Sequence, residues 1–166
     1  MMQNLHDAVE EIKRAEHQIY VSLKYTRTVD VIINILHRMI DGYSLLMDSL
    51  LLYSVDQKKL SEEEIPGSAV EKAKKVAELF KDDQETLDNV ELYLLLRKIV
   101  NVKNFERENE YRRHVTMKVI VEGREEIVNI DIITNYYLFQ RKFSQKVQKL
   151  VGVENKDLMR DENLFY

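Results

Sequence analysis

The chain has 166 residues, enough for one domain with a real core, and 45% of them are hydrophobic. Four glycines and a single proline are too few for a fold built on tight turns, and the lack of cysteine excludes disulfide staples, thiolate catalysis and zinc ribbons. A formal charge of -4 excludes a general nucleic-acid coat but leaves room for a local basic patch.

These bounds favour a mainly all-α fold, a bundle of about five helices. The opening MMQNLHDAVEEIKRAE puts no apolar run behind a basic head, so no secretory signal is expected and the default location is the cytoplasm. From Gln3 to about Leu23, apolar residues recur at steps of three and four, which predicts an amphipathic helix. Segment 24–28 then carries the break, with Thr26 and Thr28 as capping candidates.

Thr28 to Val55 is the stretch around which the rest is organised. On a helix, Asp30, Asn34, His37, Asp41, Ser44 and Asp48 fall in one narrow line and apolar side chains cover nearly all the remaining surface. Such a helix needs neighbours on every side, because each exposed side chain would forfeit roughly 1.5–3 kcal/mol. A membrane span is excluded, since His37, Arg38, Asp41 and Asp48 interrupt every window of about 18 residues.

Segment 57–67 is charged and holds the proline, so it reads as a surface loop. Ser68 caps a short helix, and Thr86 to about Val102 forms a second rod with apolar residues all round. After Asn104 the period changes. Val115–Val121 alternates opposite Glu126–Ile132, predicting a β-hairpin at about 115–132. A two-residue Gly123-Arg124 turn would pair Val115 with Ile132, Met117 with Ile130 and Val119 with Val128 on one apolar face. Asp131 would cap the last helix and Gly152 would end it. One domain is thus expected over 1–152, with a charged tail at 153–166.

Three constellations could carry function. His37 and Asp41, four residues apart on one helix face, have a spacing that can hold a metal, but too few ligands accompany them and no cofactor or metal is expected. Tyr20, Lys24, Tyr25 and Arg27 interleave rings with cations, an arrangement suited to stacking bases beside neutralised phosphates. In Phe105 to Val115, Arg107 precedes the compact basic run Arg112-Arg113-His114. An arginine followed by a histidine after such a gap, in a small cysteine-free helical chain, resembles the HEPN domains, many of which are metal-independent ribonucleases acting as dimers. That resemblance implies His114 as the proton-transfer group, Arg107 as the stabiliser of phosphate charge, and two copies lining one cleft. The segments AEHQIYVSLKYTRTVD, ELYLLLRKI and EYRRHVTMKVIVEG are also similar to an uncharacterised group of small archaeal helical proteins, which implies an archaeal, cytoplasmic origin and no particular activity.

The expected function is a non-enzymatic helical interaction module acting as a homodimer, since the apolar supply exceeds what one small bundle needs. A protein partner or RNA is its expected ligand class. The alternative is a HEPN-like endoribonuclease or RNA-binding protein.

Overall fold

In the computed structural model, which describes residues 1–152, the stretch after Thr28 is one 28-residue helix, Val29–Asp56 (α2). Thr28 starts it: its backbone is extended and its Oγ1 accepts the Val31 N–H at 3.3 Å. Fourteen of the 28 residues are buried, while Asp30, Asn34, His37 and Asp41 are exposed. The narrow wet line read from the sequence holds from Asp30 to Asp41, whereas Ser44 and Asp48 are part-buried, Ser44 hydrogen-bonded to Tyr93 and Asp48 paired with Lys72.

Helix α1 (Met2–His17) continues through one π-helical turn at Gln18–Ser22 and a last α-helical turn at Leu23–Tyr25. It runs back along α2, with Ser49 Oγ donating to the Met1 carbonyl at 3.2 Å and Arg38 reaching Glu11 at the same distance. Helix α3 (Ala69–Leu79) is capped by Ser68 and tied to α2 by a Lys72–Asp48 ion pair of 3.0 Å. Helix α4 (Gln84–Asn101) and helix α5 (Ile130–Val151) close the bundle. Their junction with α2 is aromatic and polar: Tyr43 packs at a tilt against Tyr93 and Phe143, with ring centroids 5.7 and 6.3 Å away, and donates to Asn89 Oδ1 at 2.6 Å. Burial pushes the Tyr43 hydroxyl well above its ordinary pKa.

The sheet has three antiparallel strands rather than the two of a hairpin, in the order β1 (Glu106–Glu108), β2 (Thr116–Val121), β3 (Arg124–Val128). Met117, Val119, Val121 and Val128 are its buried side. The expected pairing is corrected by two residues: Met117 faces Val128 and Val119 faces Glu126. The turn is Glu122-Gly123, both at positive φ (50° and 81°), the type I′ geometry that matches strand twist. Ile130 to Ile132 are drawn into α5 instead, because Asn129, not Asp131, is the cap, its Oδ1 accepting the Ile132 N–H at 2.8 Å. A two-residue slip leaves the side chains that remain in the strands on their expected face, so Met117, Val119 and Val128 stay inward while Ile130 and Ile132 leave the sheet.

Helix α4 is also less enclosed than its composition suggested. Tyr93, Leu96 and Ile99 are buried, but Leu92, Leu94 and Leu95 are only partly covered. The charged tail expected at 153–166 lies outside the described residues.

Gly42 marks the tightest crossing. A Cβ there would lie 3.2 Å from Gln140 Nε2 and 3.3 Å from Ile12, and that Nε2 donates to the Met39 carbonyl at 2.7 Å. Gly42→Leu is expected to destabilise the protein by about 1–3 kcal/mol or more, read as a lower urea midpoint; an unchanged midpoint would refute this packing. Burial alone would raise the Asp83 carboxyl, but the Lys146 ammonium at 2.6 Å and the Thr86 hydroxyl and N–H hold it below the usual aspartate range. With the folded pKa depressed, the unfolded chain takes the proton first, so the stabilisation is complete above about pH 4 and is lost as pH falls through the folded value. Asp83→Asn is expected to be less stable than the parent at pH 7 and to show a shallower loss of stability in acid; parallel acid profiles would refute it.

Candidate nucleic-acid interface

The start of α2 is where distant parts of the chain meet. Glu110 Oε2 accepts the Val29 N–H at 3.1 Å, supplementing the Thr28 cap and placing a carboxylate at the positive end of the helix. Arg107 bridges Asp30 at 2.9 Å and Glu110 at 3.3 Å, with its guanidinium 5.1 Å above the Phe105 ring. Both hydrogen-bonded carboxylates raise the Arg107 pKa. The Tyr111 N–H donates to the Arg27 carbonyl at 2.7 Å. This last bond joins two basic segments separated by more than eighty positions in the sequence.

The corner so formed displays rings and cations together. Tyr25 is 83% exposed and Tyr111 79%, the two most exposed large hydrophobic residues described. Lys24, Arg112, Arg113 and His114 are exposed beside them in sequence, and Arg27 is half-buried with its Nε lacking a hydrogen-bond partner among the described residues. The acids closest in sequence, Asp30 and Glu110, are already engaged by Arg107.

Tyr111 holds its ring out at an energetic penalty. Its φ is +64° and that of Asn109 +55°, a left-handed conformation unfavourable for a bulky residue and worth on the order of 1–3 kcal/mol. Local bonds fix the turn: the Arg112 N–H donates to Asn109 O at 3.0 Å, and Asn109 Nδ2 reaches His114 O at 3.4 Å.

Along α1 from this corner a shallow basic cleft of about 370 Å³ opens between α1 and α2, lined by Lys13, Arg14, His17, Gln18, Ser22 and Arg38 with Glu10. Glu11 pairs with Arg14 at 2.6 Å and with Arg38 at 3.2 Å, and Lys13 pairs with Glu10 at 3.9 Å. The π turn at Gln18–Ser22 adjoins the cleft, and the Gln18 side-chain oxygen is buried without a hydrogen-bond partner among the described residues. Such turns widen a helix locally and recur at functional sites.

The residues singled out from sequence are thus distributed unevenly. Lys24, Tyr25, Arg27, Arg112, Arg113 and His114 share the corner. Tyr20 turns toward α5, edge-on to Tyr137 at 6.3 Å, and Tyr137 donates to Glu16 at 2.6 Å. Burial and that carboxylate raise the Tyr137 pKa strongly. Arg107 is exposed at the edge of the corner and is held there by its ion pairs with Asp30 and Glu110. His37 and Asp41 are exposed on the wet line of α2, and among the described residues no group of three or more His, Asp or Glu side chains is placed to hold a metal. No described helix is long and apolar enough to cross a membrane. Sequence reasoning missed Tyr111, whose exposure depends on a turn conformation that its residue type disfavours, and the Lys13-to-Arg38 cleft, whose members alternate with structural positions.

Comparison with protein-family models, curated proteins and solved structures finds no match for this chain.

Removing the lock should loosen the corner while sparing the bundle. Arg107→Ala is expected to speed amide hydrogen exchange at Tyr111 and Val29 with the helical circular dichroism unchanged; unaltered exchange at both amides would refute the lock.

Proposed function

We propose that the protein is a non-enzymatic binding module that holds single-stranded RNA on the Tyr25–Tyr111 corner. The observation that supports this reading is the Arg27–Tyr111 backbone bond, which joins the segment carrying Lys24, the exposed Tyr25 and Arg27 to the one carrying the exposed Tyr111, Arg112 and Arg113. Stacking bases on such rings contributes about 1–3 kcal/mol each without regard to sequence, and the flanking cations neutralise phosphates. The strand then leaves along the α1–α2 seam past His17 and past Arg14 and Arg38, which share Glu11 and meet phosphates from within that pairing.

The ribonuclease alternative asks more of the same residues. Arg107 would have to leave both Asp30 and Glu110 to meet a phosphate, whereas a binding surface uses it where it is. His114 contributes to binding as an exposed polar side chain on the rim and needs no partner.

Fluorescence anisotropy with a labelled single-stranded RNA tests the proposal. Tyr25→Ala and Tyr111→Ala should each weaken binding by about 1–3 kcal/mol, and Arg112→Gln with Arg113→Gln should lower the slope of log affinity against log salt by about two. The RNA should stay intact with the parent and with His114→Ala. Tyr111→Asn should weaken binding while stability holds or rises, because asparagine tolerates the left-handed backbone better than tyrosine. Absence of binding at low salt, or cleavage abolished by His114→Ala, would overturn the reading.

A further inference from the structure

A second surface, independent of the RNA corner, is a groove of about 680 Å³ between α4 and the overhanging β2–β3 hairpin. Leu92, Leu95 and Val121 line it, and carboxylates at Asp88, Glu91 and Glu126 stand around it. Lys98, also at the groove, is paired with Glu122 at 3.0 Å, and Arg124 is the one further cation among the described residues lining it, so three carboxylates against one guanidinium leave the rim net negative. A leucine-lined groove with an acidic rim suits a helix that presents apolar side chains between lysines.

The chain carries such a helix face. On α5, Leu138 is 43%, Phe139 38% and Leu150 40% exposed, and Lys142 and Lys149 are exposed with them. Helical spacing puts Leu138, Lys142 and Lys149 in one line, with Phe139 and Leu150 beside it. This face cannot fold back into its own groove, because the opposite face of α5 is fixed in the core through Tyr137, Phe143 and Val147.

We infer that the occupant is a second copy of the chain: α5 of each protomer lies in the α4–hairpin groove of its partner about a two-fold axis, with Lys142 and Lys149 against the acidic rim. Two-fold pairing makes each contact twice, so one apolar face and one groove per chain are both covered and no open chain of subunits results. Opposite charge on the two surfaces selects this docking over groove on groove or helix on helix, both of which set like charges together.

Light scattering across a concentration series tests it, using the full chain. The parent is expected to give a dimer mass. Lys142→Glu with Lys149→Glu, and separately Glu91→Lys with Glu126→Lys, should each weaken self-association about ten-fold or more, equivalent to ~1.4 kcal/mol. Mixed in equal amounts the two variants should regain the dimer, since in the mixed pair one contact is charge-reversed and the other is unaltered. All four positions lie outside the fully buried core, and circular dichroism checks that both variants fold. A parent monomeric up to about 1 mM, variants that still dimerise alone, or a mixture that stays monomeric would each overturn the inference.

Discussion

A helix that is apolar around all but one seam sets the terms for the whole molecule. Exposed, α2 would forfeit roughly 1.5–3 kcal/mol at each of its large side chains, far more than the marginal stability of a small domain allows. Helices α1, α3, α4 and α5 and the inner side of the sheet are therefore arranged as its sheath, each turning an apolar face inward. Where a neighbour must come closest, the side chain is reduced to hydrogen at Gly42, and the Gln140 amide occupies the space against Met39.

The same rod explains why the candidate interface lies where it does. A long helix ends in unpaired N–H groups and a positive dipole, and both attract oxygen acceptors and carboxylates. Thr28 supplies one acceptor and Glu110 another, and Glu110 then draws in Arg107, which reaches on to Asp30. Closing that ionic triangle pins the β1–β2 connection to the α1–α2 connection. Because both connections are basic and aromatic, a structural device at the end of the core creates a concentrated surface that neither segment has alone.

Much of this was legible in the sequence and some was not. The rod, its Thr28 cap, its wet line and the inward face of the hairpin follow from periodicity, a local signal that packing here did not override. The hairpin register slid because Ile130 and Ile132 alternate like a strand yet also suit the first turn of a helix, and the Asn129 cap decides for the helix. Strand β1 was invisible, since Glu-Arg-Glu has no apolar face; it pairs Glu106 with Lys118 and Glu108 with Thr116, and Lys118 reaches diagonally to Glu108 at 3.1 Å. The corner itself required knowing that Arg27 and Tyr111 touch, and no local pattern encodes a contact across that separation.

A chain of net charge -4 can still offer a cationic surface if its charges are segregated, and here the sheet does the segregating. The basic loop leads into β2, and the Glu122-Gly123 turn follows its other end. A six-residue strand at about 3.3 Å per residue keeps them roughly 20 Å apart. Screening at physiological salt acts over about 8 Å, so the carboxylates of the α4–hairpin groove are little felt at the tyrosine corner. A phosphate approaching Arg112 and Arg113 therefore meets the local field rather than the net charge. On the proposed RNA-binding reading, overall acidity would act mainly as a filter, disfavouring long duplexes that overlap both ends of the sheet and tolerating a short single strand confined to one.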